Sequence, residues 1–145
     1  MKLKMLVFVS VLSFSLFSIN LHAQIIGKIF SKSEANTLFG AVIETKDISV
    51  SELNRILNQT DQNVMFLIKN GTIAIKGDGG KEIYNNGITL ESNDVYSKYS
   101  KSLVKNLVFL STSGIISIEK RKSVISLTTG EITLELGLGC PPICD

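Results

Sequence analysis

The sequence predicts a single small domain of the α+β class, with a mainly antiparallel sheet of about five to seven strands and two main helices packed on one face. Three observations support this: a capped amphipathic segment early in the chain, β-rich runs separated by turn signals, and a second amphipathic segment before further β-rich runs. Strands and helices do not alternate at the spacing that a parallel sheet requires. We assign residues 24–139 to this domain.

Local signals place the elements of the first half. Ser49 and Glu52 have the spacing of a capping box, which predicts a helix directly after them. Asn70-Gly71 is the preferred pair for a type I′ turn and predicts a hairpin. Residues 24–40 have mixed helical spacing and remain ambiguous. The predicted elements are a strand at residues 41–45, a helix at 51–58, and strands at 64–69, 72–76, 81–84 and 88–91.

The second half begins with a predicted amphipathic helix over residues 94–106, with lysines on its polar side. Strands are predicted at residues 115–119, 124–128 and 131–136. In the last strand, Glu131, Thr133 and Glu135 alternate with apolar residues, which predicts that these three face solvent. The tetrapeptide Ile-Thr-Leu-Glu at residues 88–91 recurs at 132–135, as an internal duplication would allow.

Residues 1–23 have the pattern of a cleavable secretory signal peptide. Lys2 and Lys4 precede an apolar stretch at residues 6–19, which is shorter than the roughly 20 residues that span a bilayer. Ala23 is a small residue before the expected cut, so we predict cleavage between Ala23 and Gln24. We therefore expect an exported protein, periplasmic or extracellular, with no stable membrane insertion after cleavage.

The charge balance limits the partners. The chain has 15 Lys+Arg and 13 Asp+Glu, and two of the basic residues, Lys2 and Lys4, would leave with the signal. The remaining chain is net neutral, so we expect no nucleic-acid partner. The one basic cluster, Lys120-Arg121-Lys122, is interpreted as a solvated turn. The expected partner is a protein or small molecule that the sequence does not identify.

The residues expected of a catalytic or cofactor site are missing. The single histidine, His22, lies in the predicted signal, so the processed chain has no Ser/His/Asp triad. The glycine-rich segment at residues 77–81 lacks the spacing of a phosphate loop, because Glu82 follows Lys81 where Ser or Thr is required. It is interpreted as a flexible strand connection. We predict no catalytic, cofactor-binding or metal-binding residue, and no cofactor.

Residues 140–145 form a distinct C-terminal segment. Both cysteines of the chain, Cys140 and Cys144, lie here, and an even count in an exported protein favours a disulfide between them. The bridge would close a small loop that Pro141 and Pro142 stiffen, giving a rigid tip. Thiol chemistry or Cu(I) binding by the two thiolates remains the alternative.

These observations favour an exported binding or interaction module, inhibitor-like or an envelope accessory protein, over an enzyme. The alternatives are a small secreted hydrolase that uses carboxylates, or a thiol or Cu(I)-binding protein that uses Cys140 and Cys144. A cleft that holds two facing acids would support the hydrolase. Reactive cysteines in the native protein would support the thiol alternative.

Export is the first testable expectation. When the full chain is expressed in a secreting host, the exported protein should begin at Gln24, as read by intact mass. Ala23→Phe should block cleavage at that bond, because the cleavage site requires a small residue. Recovery of the uncleaved chain in the membrane fraction would contradict the signal-peptide prediction.

Overall fold

The computed structural model describes residues 24–140, without the side chain of Cys140. The predicted signal peptide and residues 141–145 lie outside the described residues, so the Ala23–Gln24 cleavage and the Cys140–Cys144 bridge stay predictions. The α+β class is confirmed, but the strands form two antiparallel five-stranded sheets rather than one. Ten strands and three α-helices occur in residues 24–140, more than the sequence predicted.

The helices are α1 (Lys32–Phe39), α2 (Val50–Leu57) and α3 (Lys101–Leu110). The strands before α3 are β1 (Lys28–Ser31), β2 (Glu44–Ser49), β3 (Asn63–Lys69), β4 (Thr72–Lys76), β5 (Glu82–Asn85) and β6 (Tyr96–Ser100). The strands after α3 are β7 (Ile115–Lys120), β8 (Ile125–Thr129), β9 (Ile132–Glu135) and β10 (Leu138–Cys140).

The element order β-α-β-β-β occurs twice, as β2-α2-β3-β4-β5 and as β6-α3-β7-β8-β9. The first sheet has the order β1-β9-β8-β7-β2 and the second has the order β10-β6-β3-β4-β5. The first strand of each unit therefore pairs with the other unit, β2 with β7 and β6 with β3. The repeated tetrapeptide does not coincide with this repeat of element order, because residues 132–135 form β9 whereas residues 88–91 lie in the connection after β5.

The main core lies between the inner faces of the two sheets and is completed by α2 and α3. Tyr99 of β6 is fully buried there, and its hydroxyl donates to the carbonyl of Ile125 on β8. A Cβ atom at Gly137 would lie 2.6 Å from Tyr99 Cζ. The link between β9 and β10 therefore requires a residue without a side chain at this point.

The first predicted helix and the predicted hairpin are confirmed. Ser49 Oγ accepts the N–H of Glu52, and α2 buries its predicted apolar face. Asn70 and Gly71 have φ values of 53° and 71°, as a type I′ turn requires. The Glu52 carboxylate pairs with Arg55 instead of returning to the backbone of Ser49, so only half of the capping box forms.

The predicted second helix over residues 94–106 is wrong in its first half. Residues Tyr96–Ser100 form β6, and α3 begins only at Lys101. Because both faces of this strand are covered, Tyr96 and Tyr99 are buried on opposite sides of the second sheet. The predicted strand at residues 88–91 is also wrong: Ile88 is buried in the smaller core on the outer face of this sheet, within an irregular segment.

The interpretation of residues 77–81 as a flexible connection is wrong, because hydrogen bonds hold this glycine-rich segment in place. It forms a 3₁₀ turn, Asp78–Gly80, and Asp78 accepts the backbone N–H groups of Asp61, Gln62 and Asn63 at 2.7, 2.9 and 2.9 Å. Thr60 Oγ1 lies 2.7 Å from the same carboxylate. Burial alone would raise the pKa of Asp78, but these hydrogen bonds outweigh it and hold the pKa well below its usual value.

Removal of this anchor should destabilise the fold. Asp78→Asn should lower the free energy of unfolding at pH 7 by about 1–2 kcal/mol, because several hydrogen bonds to a charged group are weakened. The pKa of Asp78 is lower in the folded state than in the unfolded state. Its contribution to the free energy of unfolding is therefore complete above the unfolded pKa of 3.8 and is lost as the pH falls below that value.

Urea unfolding at pH 7, 4 and 3 measures this effect. The difference in the free energy of unfolding between the wild type and Asp78→Asn should be smaller at pH 3 than at pH 7. Asp61→Asn is the matched control, because the Asp61 side chain is exposed and makes no hydrogen bond or ion pair among the described residues. A difference in the free energy of unfolding that does not depend on pH would contradict the stabilising role of the ionised Asp78 carboxylate.

Candidate functional site

The outer face of the first sheet is polar but buried. Thr133 and Glu135, predicted to face solvent, are fully buried, and Glu119 and Thr128 are nearly so. The reason is α1, which the sequence left ambiguous and which contacts β1 and β9. Ser31 and Glu34 form a complete capping box at its start. Their spacing was the signal that could have identified this helix.

Arg121 lies at the centre of this buried face, and its prediction as part of a solvated turn is wrong. It is the largest fully buried side chain among the described residues. Its Nη1 donates to Asn36 Oδ1 at 2.8 Å and to the carbonyl of Gly40, which caps α1. Its Nε donates to Ser126 Oγ at 3.0 Å. The guanidinium can be buried because each of its three nitrogens donates to an acceptor.

Two buried carboxylates balance this charge in different ways. Glu119 Oε2 accepts from Arg121 Nη2 at 3.1 Å and from Thr128 Oγ1 at 2.9 Å. Glu135 Oε1 lies 2.9 Å from Arg121 Nε, but that N–H is directed at Ser126, so neither oxygen of Glu135 accepts a hydrogen bond from a described residue. Burial raises the pKa of Glu135, the nearby Ser126 hydroxyl and the charge of Arg121 oppose this, and the charge of Glu119 adds to it.

This buried cluster also fixes the turn between β7 and β8. The backbone N–H of Arg121 donates to the carbonyl of Val124 at 2.8 Å and closes the turn. With the Arg121 side chain held under α1, its neighbours Lys120 and Lys122 are left at the surface, one half-buried and the other exposed. The buried network thus sets where these two lysines lie.

Beside this turn is a cleft of about 470 Å³, which we call the turn cleft. One wall is the turn at residues 120–125, and the other is the segment at residues 93–97 with the end of β3. At the floor, Ser97 Oγ accepts the N–H of Ile125 at 2.9 Å and ties the two sheets together. The cleft therefore lies at the junction of the two sheets.

The charged groups at or next to the second wall are one lysine and the two carboxylates that pair with it. Asp94 Oδ1 lies 3.1 Å from Lys69 Nζ, and Glu91 Oε1 lies 3.2 Å from it. A backbone hydrogen bond from Glu91 lowers the pKa of Asp94, and Lys69 lowers it further. The hydrogen bond to Asp94 raises the pKa of Lys69 in turn. Both groups therefore remain ionised and paired near neutral pH.

Lys120 and Lys122 are not paired in this way. Glu44 faces Lys120 in the β2–β7 register, but its carboxylate accepts the N–H of Gly71 instead. Within residues 24–140, neither Lys120 nor Lys122 has a carboxylate within ion-pair distance. One wall of the turn cleft thus has two lysines that form no direct ion pair with a described carboxylate.

Two further clefts are also lined by charged side chains. One, of about 530 Å³, lies at the start of α3 and is lined by Lys101, Lys105 and Asp61; Lys101 Nζ donates to the carbonyl of Thr60. The other, of about 350 Å³, is lined by Lys69 and Glu91, which pair with each other. Each of the three clefts has a single carboxylate in its lining. This is Asp94 in the turn cleft, Asp61 in the cleft at the start of α3, and Glu91 in the smallest of the three.

The remaining predicted site residues stand as follows. Cys140 ends β10, but its side chain and Cys144 are not described, so the structure does not test their pairing or their chemistry. Among the described side chains, no three His, Cys, Asp or Glu residues group as metal ligands. No helix in residues 24–140 has the length and apolar character needed to cross a bilayer.

Comparison of the chain with protein-family models found no matching family. Comparisons with curated proteins and with solved structures found no match either. The residues of the turn cleft are therefore interpreted on their geometry and charge alone.

Arg121 should be the most sensitive polar residue of this region. Arg121→Met should lower the free energy of unfolding by about 3–5 kcal/mol, because it leaves two carboxylates buried without their cation. Addition of Glu119→Gln and Glu135→Gln should recover part of that loss by removing both charges.

Urea unfolding at neutral pH measures these variants. Lys122→Met is the matched control and should change the free energy of unfolding by no more than about 0.5 kcal/mol, because its side chain is exposed. If Arg121→Met were as stable as the control, the cluster would not hold this part of the fold together.

Proposed function

We propose that this protein is an exported, non-catalytic binding module whose recognition surface is the turn cleft. The observation that carries the proposal is a pair of lysines, Lys120 and Lys122, on a wall that buried Arg121 holds in place. Neither lysine forms a direct ion pair with a described carboxylate. A preformed cleft between two packed sheets, with a few convergent polar groups, is the usual setting of a small-ligand or partner site.

The arrangement of the acids supports binding over carboxylate hydrolysis. A glycoside hydrolase needs two carboxyl groups facing one substrate, whereas each of the three clefts has a single carboxylate in its lining. Glu119 and Glu135 form the buried acidic pair, but Arg121 lies against both under α1. These two acids therefore have a structural role in this proposal.

The thiol alternative has its own test. Thiol labelling of the native exported protein should find both cysteines unreactive if Cys140 and Cys144 form the predicted structural bridge. Two labelled thiols in the native state would instead favour the thiol or Cu(I)-binding alternative.

Retention of a ligand tests the proposal directly. The exported protein, immobilised and incubated with secreted and envelope fractions of its source cells, should retain a specific protein or small molecule, read by mass spectrometry after elution. Lys122→Glu should abolish retention, because it reverses the charge on the wall of the turn cleft. Lys81→Glu is the matched control, since Lys81 is exposed and lines none of the three clefts.

Equal retention by the wild type and by Lys122→Glu would exclude the turn cleft as the recognition surface. Retention lost on reduction but unaffected by Lys122→Glu would move the contact to residues 140–145. Retention of nothing by the wild type would contradict the binding-module proposal itself.

A further inference from the structure

We infer that the turn cleft binds a small amphiphilic carboxylate, a single anionic group attached to a short apolar body. This inference rests on the proposed function and specifies the ligand class for the same site. Three features carry it: the two lysines without a direct ion pair, the apolar side chains between the two charged walls, and the strands that line the cleft.

The charge count favours an anion of low charge. Of the cations that line the cleft, Arg121 lies against Glu119 and Glu135, and Lys69 pairs with Asp94. Of the cations that line the turn cleft, only Lys120 and Lys122 form no direct ion pair with a described carboxylate. Two lysines suit an anion of low charge, such as one carboxylate, and offer no extended positive track for a polyanion such as nucleic acid.

The opposite wall directs the ligand. Asp94 is ionised there and would repel an anionic group placed beside it. The carboxylate must therefore lie on the side of Lys120 and Lys122. The apolar body of the ligand then extends toward Val95, on the second wall.

Apolar side chains line the space between these charges. Val95 is 51% exposed, which is high for a valine at the wall of a cleft. Val124, across the cleft in the turn, is half-buried. Burial of these two side chains by an alkyl group would be favourable, whereas a fully hydrated anion would leave them in water. The volume of about 470 Å³ lies within the range of small-molecule sites, roughly 300–1,000 Å³.

The neighbouring strands disfavour a peptide as the ligand. The strands that line the cleft, β3, β6, β7 and β8, all have a partner on each side within their sheets. The part of β3 that lines the cleft, Leu67–Lys69, pairs with β4, whereas the pairing of β3 with β6 ends at Phe66. An extended peptide could therefore add by backbone hydrogen bonds only along this short edge, which is shorter than a typical strand. Recognition in the cleft relies mainly on side chains, as small-molecule binding does.

The test uses hexanoate as the probe on the exported protein labelled with ¹⁵N. Hexanol and hexylamine, which keep the alkyl chain but change the charge, are the ligand controls. Hexanoate should shift the amide resonances of Val95, Lys122 and Val124 in a saturable manner. Lys120→Ala/Lys122→Ala should weaken hexanoate binding about 5- to 20-fold, because each exposed ion pair contributes modestly. Lys81→Ala should leave it unchanged.

The possible outcomes test the ligand class and the binding site separately. Equal binding of hexanol in the cleft, or preferred binding of hexylamine, would overturn the anionic ligand class while keeping the turn cleft as a recognition surface. Shifts confined to another part of the protein would overturn both the ligand class and the site. Hexanoate binding that the lysine pair does not affect would overturn the charge argument.

Discussion

The buried guanidinium of Arg121 is the interaction on which this region of the fold depends. A fully buried cation is tolerated only when its charge and its N–H groups are satisfied. Glu119 and Glu135 supply the charge from β7 and β9, and Asn36 and Gly40 supply acceptors from the end of α1. One side chain therefore joins a helix to three adjacent strands and closes the polar face of the first sheet.

This constraint has a consequence at the surface. Three consecutive basic residues lie at the end of β7 and in the turn after it, and their burial differs. Arg121 is enclosed, whereas Lys120 and Lys122 flank it and remain at the cleft. Burial of the middle residue fixes the backbone on both sides of it. The two lysines thus lie on a turn whose backbone is held in place by a buried side chain. For the ligand that we propose, this would lower the entropy cost of binding.

The exchange of strands between the two β-α-β-β-β units explains why the cleft lies where it does. Since β2 pairs with β7 and β6 pairs with β3, each sheet is built from both units. Tyr99 and Ser97, both on β6, then reach across to Ile125 on β8. The end of β3 and the turn after β7 are thereby held on opposite sides of one opening, which neither unit alone would form.

The sequence by itself determined the features that depend on near neighbours along the chain. The α+β class, α2 and the β3–β4 hairpin follow from capping and turn residues only a few positions apart, such as Ser49 with Glu52 and Asn70 with Gly71. Only the tertiary structure decided what covers each face. Alternation predicted that Glu135 faces solvent, but α1 buries it. Amphipathic spacing predicted a helix over residues 94–106, but pairing with β3 makes residues 96–100 a strand. The turn cleft belongs to this second kind, because its walls meet only after both sheets have packed. Burial and charge pairing are properties of distant contacts, and a local pattern cannot specify them.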